Sequence, residues 1–192
     1  MKKVICIGDS IRMGYEPTVA RELAGWAEVW EMGGTQGGTT RNVLEHLDEW
    51  VLNRDPDIVH LNAGLHDLAR EVGPGPENRV PLEEYRTNLR EILSTLQDKT
   101  RARLIFGLTT PVDLERQREV DYGINRINED VLKYNQAAAE VAAELQVEIN
   151  DLYQVVVDHG VEKMLGPDEV HFTEEGSAIL GRAVAAAIRA AE

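Results

Sequence analysis

Short apolar runs and longer amphipathic stretches alternate along this chain. The runs Val4 to Ile7, Val29 to Met32, Ile58 to Leu61, Leu104 to Leu108 and Val147 to Ile149 have strand length and little polar interruption. Between them, Val19 to Trp26, Arg41 to Leu52, Leu82 to Leu96 and Ile127 to Leu145 carry apolar residues at helical spacing, as does Ile179 to Ala191 at the end. A strand buried on both faces has no polar face to alternate, so continuous apolar strands separated by helices predict a parallel sheet covered on both sides. The predicted fold class is α/β, a three-layer α/β/α sandwich with about five parallel strands. The 192 residues are read as one domain, 1–192, without internal repeat, low-complexity tract or linker.

Local signals sharpen the boundaries. Asp55-Pro56-Asp57 predicts a turn before the third strand, and Thr173-Glu174-Glu175-Gly176 predicts a capped start for the last helix. Two irregular stretches exceed what a connection needs: Ala69 to Pro81 after the third strand and Thr109 to Asn125 after the fourth. Ligands of open parallel sheets sit beyond the carboxyl ends of the strands, so both stretches are expected to border a site.

Charge narrows the partners. With 20 basic against 34 acidic residues the formal net charge is −14, and a nucleic-acid backbone or an anionic bilayer would be repelled at long range. Neither nucleic acid nor membrane is expected as a partner. A pocket's local field is independent of that total, so small ligands are not restricted by it. The single cysteine, Cys6, lies in the first apolar run, which excludes an intrachain disulfide and a cysteine-based zinc set. The apolar stretch after Met1-Lys2-Lys3 is shorter than the core of a signal peptide, and no run approaches the roughly 20 residues of a membrane-spanning helix. The expected location is cytoplasmic. The helical surfaces suit a monomer or a dimer equally, and the sequence assigns no oligomeric state.

Three constellations carry candidate chemistry. The first apolar run ends at Gly8-Asp9-Ser10, where a tight turn into a helix would expose Ser10 Oγ beside unpaired backbone N–H groups. The same residues suit a plain helix cap. In "GPDEVHFTEEG", Asp168 and His171 stand three apart before the last helix; a serine nucleophile needs a base, and a carboxylate on the same turn can orient its imidazole. Without a serine nearby they read as a surface pair. The third is a pair of glycine-containing turns, "GGTQGGTT" from Gly33 to Thr40 and "NAGLHD" from Asn62 to Asp67. Glycine lets backbone N–H groups approach a developing oxyanion, or a phosphate, although the lysine and spacing of phosphate-binding loops are missing.

Taken together, Gly8-Asp9-Ser10-Ile11, Gly37-Gly38-Thr39-Thr40, Gly64-Leu65-His66-Asp67 and Asp168-Glu169-Val170-His171 resemble, in order and over nearly the whole chain, the four blocks of the SGNH family, also called GDSL esterases or lipases. The resemblance implies a flavodoxin-like sheet, Ser10 as nucleophile, His171 as base, Asp168 as its orienter, and an oxyanion hole from the backbone N–H groups of Ser10 and Gly37. It implies no metal and no cofactor. The chain departs from the family where an asparagine supplies the third oxyanion donor, since His66 stands there. Histidine Nδ1 lies as many bonds from Cα as asparagine Nδ2, so His66 can take over the donor role in the right tautomer, or it can simply bond loop backbone. Asn62 is a substitute donor if the loop is shaped differently. Asp67 is expected to brace its own turn. Asp9, Arg12 and Asn62 are candidate substrate contacts, and Arg116, Arg118 and Arg126 are further cations that could meet an anion or lie on solvated surface.

The expected function is a serine esterase acting on a small-molecule ester. An aromatic content of 5% offers no broad sugar-stacking platform, which favours a small acyl group. The other class the sequence allows is an inactive module on the same fold that binds a carbohydrate or nucleotide, for which His66 is the main support.

Overall fold

The computed structural model describes residues 1–30, 37–71, 77–113 and 124–191. Its central sheet is built from β1 (Lys2–Ile7), β2 (Ala27–Trp30), β3 (Ile58–Asn62), β5 (Arg103–Gly107) and β7 (Glu148–Asn150). The five strands are parallel throughout and lie in the order β2-β1-β3-β5-β7. Every residue of β3 is buried, as a strand covered on both faces requires.

Helices cover the two faces in separate groups. On one face α1 (Ser10–Glu22) packs against α7 (Glu174–Ala190), which also meets α5 (Leu152–His159). On the other, α3 (Leu82–Lys99) packs between α2 (Thr40–Trp50) and α4 (Asn128–Glu144). A short helix, α6 (Val161–Met164), precedes the loop that carries Asp168 and His171. This is the expected three-layer α/β/α architecture with a flavodoxin-like strand order.

That order fixes where a ligand can bind. The chain runs from β1 outward to β2, then crosses back to β3 on the other side of β1. Loops leaving β1 and β3 therefore diverge, and the crevice between them lies at their carboxyl ends. A second, two-stranded sheet pairs β4 (Arg70–Glu71) antiparallel with β6 (Ile124–Asn125). It joins the described ends of the two irregular stretches, Arg70 and Glu71 in the first and Ile124 and Asn125 in the second. The Arg70 guanidinium anchors this layer to α4 through Asp130, 2.5 Å away.

The element boundaries depart from the sequence reading in three places. Helix α1 begins at Ser10 rather than Val19, because Arg12, Glu16 and Pro17 interrupt its apolar period although Arg12 and Glu16 are buried. Strand β2 starts two residues earlier than expected, with Glu31 and Met32 outside the described residues. Just past the fifth strand, Asp151-Leu152-Tyr153 opens α5, a helix absent from the sequence reading: the Asp151 carboxylate accepts from Gln154 N–H at 2.9 Å. The run Val155-Val156-Val157 had disguised that helix, since β-branched residues are poor helix formers.

Buried polar side chains finish the ends of the sheet. Asn135 on α4 accepts from Thr109 N–H at 2.8 Å and donates to the Thr109 carbonyl at 2.7 Å, closing both backbone groups just past β5. Tyr85 and Tyr134 pack ring to ring at 4.9 Å and donate to the carbonyls of Ala63 and Val80. His60 sits fully buried in β3, where burial pushes its imidazole down to about 4 and keeps it neutral to accept from Asn150 Nδ2. Asn135→Ala would strand two buried backbone groups, each costing about 1–3 kcal/mol. Urea unfolding is expected to show a loss of about 2–6 kcal/mol on that basis; a loss below about 0.5 kcal/mol would mean that the segment after β5 rearranges freely.

Candidate active site

The turn after β1 separates the two roles that its residues could play. Asp9 is the helix cap: its carboxylate accepts from Ile11 N–H at 2.9 Å, and the residue is buried. Ser10, the first residue of α1, is thereby released from capping. Its Oγ lies 2.7 Å from His171 Nε2, across 161 residues of sequence.

The loop before α7 holds the histidine. His171 Nδ1 lies 2.5 Å from Asp168 Oδ2, while the other oxygen, Oδ1, accepts from the N–H groups of His171 and Val170 at 2.8 and 3.1 Å. Burial works to raise the Asp168 carboxyl, but the His171 ring and these N–H groups outweigh it and hold Asp168 below the ordinary carboxylate value. The carboxylate therefore stays ionised at neutral pH and fixes the proton of His171 on Nδ1, which leaves Nε2 as the acceptor facing Ser10. Between them, Glu169 is buried with φ of 59°, a left-handed conformation that few side chains adopt. Its carbonyl accepts from Asp113 N–H, tying this loop to the chain after β5.

The second and third blocks close on the same point. A Cβ on Gly37 would stand 2.4 Å from the carbonyl carbon and oxygen of Gly8 and 2.8 Å from the Asp9 nitrogen, so the two backbones touch where no side chain fits. Gly64 has φ of +144°, and a Cβ there would meet Thr109 Oγ1 at 2.7 Å. Asp67 does not brace its own turn alone. Its Oδ1 accepts from both the N–H and the hydroxyl of Thr40, at 2.9 and 2.6 Å, and so clamps the third block to the start of α2. Sequence spacing gave no hint of this clamp, which joins positions 27 residues apart.

Two candidate substrate contacts are corrected. Arg12 is 1% exposed, with Nη1 2.5 Å from Glu16 Oε2; two residues after Ser10 the helix has turned it inward against Gly8. Asn62 is buried and donates to the Gly107 carbonyl at 2.9 Å, bracing β3 to β5 instead of facing a ligand. Asp9, buried as the cap, meets the site through His66, whose Nε2 lies 3.8 Å from Asp9 Oδ2. Burial lowers the His66 pKa most, and Arg126, Arg79 and His171 push the same way against Asp9, so His66 is neutral at neutral pH. Arg126 donates from Nε to the Leu65 carbonyl at 2.9 Å, one residue from His66. Arg79, which the sequence reading did not single out, shares this neighbourhood. Gly33 to Gln36, Arg116 and Arg118 lie outside the described residues.

A serine hydroxyl, an imidazole and an ionised carboxylate in hydrogen-bonded series, with glycine-lined backbone alongside, is the arrangement that activates an oxygen nucleophile. Comparison with known proteins supplies the family. Residues 6–179 match the model of the GDSL-like lipase/acylhydrolase family. The chain belongs to that family. Among curated GDSL esterase/lipases, WDL1 of Oryza sativa subsp. japonica is 30% identical over 173 residues, covering 83% of this chain and 65% of that protein. CPRD49 of Arabidopsis thaliana is 29% identical over 171 residues, covering 83% of this chain and 66% of its own length. The chain thus spans just under two thirds of these GDSL relatives. The fold matches the lipase/acylhydrolase of Enterococcus faecalis with a TM-score of 0.81 at 24% identity, over 99% of this chain and 96% of that one. The acetylxylan esterase Axe2 of Geobacillus stearothermophilus matches with a TM-score of 0.75 at 23% identity, over 95% and 92%.

Among the described residues no group of three His, Cys, Asp or Glu side chains is placed to hold a metal ion, and no helix is long and apolar enough to cross a membrane.

The clamp at Asp67 carries a pH signature. Burial raises its carboxyl from 3.8 to about 7, against the hydrogen bonds from Thr40. The folded state keeps a proton that the unfolded chain releases near 4, so this group's contribution to stability declines as pH rises from about 4 to about 7 and is level above. Asp67→Asn retains an oxygen to accept from Thr40 but cannot ionise. The stability of the variant relative to wild type, from urea midpoints, is expected to rise between pH 4 and 7 and then level off; a flat difference would show Asp67 ionised throughout.

Proposed function

We propose that this protein is a serine esterase that hydrolyses a carboxylic ester through an acyl-enzyme on Ser10. The observation that carries the reading is the pair of short contacts in series, Ser10 Oγ to His171 Nε2 at 2.7 Å and His171 Nδ1 to Asp168 Oδ2 at 2.5 Å. In the first step Ser10 Oγ attacks the acyl carbon while His171 Nε2 takes its proton, and the ionised Asp168 stabilises the imidazolium so formed. The carbonyl oxygen becomes an oxyanion, to which the N–H groups of Ser10 and Gly37 and the ring of His66 are the candidate donors. Collapse breaks the bond to the alcohol, which leaves with the proton held on His171. Water then attacks the acyl-serine with His171 as base, releasing the carboxylic acid and restoring the Ser10 hydroxyl.

The small acyl group inferred from composition draws further support from the fold shared with an acetylxylan esterase. The reading as an inactive binding module has one observation in its favour, the histidine at position 66. A binder has no need of a serine, an imidazole and a carboxylate in this alignment, and the hydrolase is the reading we adopt.

The roles are separable by kinetics on 4-nitrophenyl acetate. Ser10→Ala is expected to lose on the order of 10,000-fold in kcat. His66→Ala is expected to lose about 100-fold or more in kcat, the usual cost of an oxyanion donor, whereas His66→Asn restores a fixed donor and retains much of the activity. Full activity in Ser10→Ala would overturn the nucleophile. Full activity in His66→Ala would remove His66 from the oxyanion hole.

A further inference from the structure

We propose that Asn42 is a positioning residue for the oxyanion hole: its side-chain amide holds the peptide between Gly37 and Gly38, and so keeps the Gly37 N–H aimed at the reacting carbonyl. The inference rests on the esterase reading, in which Gly37 is one of the oxyanion donors, and adds the side chain that keeps that donor in place.

A backbone donor stabilises an oxyanion only if it is fixed before the reaction begins. Gly37 is poorly suited to fix itself. A Cβ there would stand 2.4 Å from the carbonyl carbon and oxygen of Gly8, so the position excludes any side chain that could anchor it. The next residue, Gly38, is a second glycine and has φ of 78°, so two successive residues have the widest conformational freedom a chain allows. Restraint has to reach Gly37 through its backbone groups. Its N–H is the group left open for substrate, and the carbonyl remains.

Asn42 takes that carbonyl. Its Nδ2 lies 2.6 Å from the Gly37 oxygen, and because a carbonyl can only accept, the amide nitrogen is the atom that faces it. Capping of α2 is already supplied by Thr39, whose Oγ1 accepts from the Asn42 N–H at 3.4 Å, so the Asn42 amide is spent on the chain outside the helix. Asn42 itself sits in a well-held turn. Nδ1 of His46, one turn further on, lies 3.0 Å from the Asn42 carbonyl, and the His46 ring stacks on Trp50 at 4.8 Å. Thr40 gives its N–H and its hydroxyl to Asp67 and accepts from Asn88 Nδ2 at 3.1 Å. Constraint therefore runs from the buried Asp67 through Thr40 into the first turn of α2, and Asn42 returns it to Gly37.

Two substitutions separate this hold from helix stability. Asn42→Asp keeps the shape of the side chain but replaces the donor by an oxygen, which repels the Gly37 carbonyl. The first turn of α2 carries no acidic residue, so a carboxylate there favours the helix through its dipole, and the variant is expected to match or exceed wild type in thermal stability. With 4-nitrophenyl acetate its kcat is expected to fall about tenfold or more while KM stays within about twofold, because the lost interaction belongs to the transition state. Asn42→Ala is expected to lose about three- to tenfold in kcat, the scale of one hydrogen bond. A trifluoromethyl ketone, which forms an oxyanion on the serine it captures, should lose affinity in each variant by the same factor as kcat/KM. Wild-type kcat in Asn42→Asp, or losses of activity that merely follow losses of stability, would overturn the proposal.

If wild type turns over no ester, the esterase reading fails on its own, and the hold on Gly37 is read directly by NMR relaxation of the backbone amides. Order parameters of Gly37 and Gly38 near about 0.85 in wild type that fall toward about 0.6 in both variants support the hold. Values unchanged between wild type and variants would overturn it.

Discussion

Strand β1 is hydrogen-bonded on both sides, to β2 and to β3, and it is buried from Val4 onward. The chain leaves this clamped strand through Gly8 and Asp9, with the Gly37 backbone against one side and the Asp9 carboxylate turned back to start α1. Those constraints settle where Ser10 sits before any chemistry is considered. The crossing of the chain over β1 then brings loops from three other strand ends to the same edge of the sheet. Asp67 fastens the second block to the third, and the contact between Glu169 and Asp113 fastens the His171 loop to the end of β5. Hydrogen bonds among loops thus supply the precision that the strands alone do not.

The family relationship and the geometry answer different questions. Family membership rests on a match over residues 6–179, whereas the reaction is argued from Ser10, His171 and Asp168. At His66, where the family resemblance expects an asparagine, Arg79 and Arg126 act on the imidazole. A neutral His66 between a buried carboxylate and two guanidinium groups has a different electrostatic setting from an amide.

Much of this was legible in the sequence because the strands are buried on both faces, which leaves long apolar runs such as Ile58 to Leu61 with no competing pattern. The four short blocks were legible because each follows a strand end or precedes the last helix. What escaped was information carried by burial of polar side chains. Arg12 looked like a substrate contact and Glu16 drew no notice, yet both are buried and hide the period of α1. Asn62 looked like a spare donor, yet its amide closes the sheet against Gly107. Arg79 drew no attention because its position depends on the pairing of β4 with β6, two-residue strands that no periodicity reveals. Asp9 and Ser10 were indistinguishable as caps until the geometry gave capping to one and left the other to His171.

The central claim is that Ser10 is an activated nucleophile, and covalent labelling with a fluorophosphonate reads that property without knowledge of the substrate. Intact-mass analysis is expected to show one adduct on wild type, mapped to Ser10, absent in Ser10→Ala and strongly slowed in His171→Ala. No adduct on wild type under conditions that label a control serine esterase, or an adduct that persists in Ser10→Ala, would contradict the account.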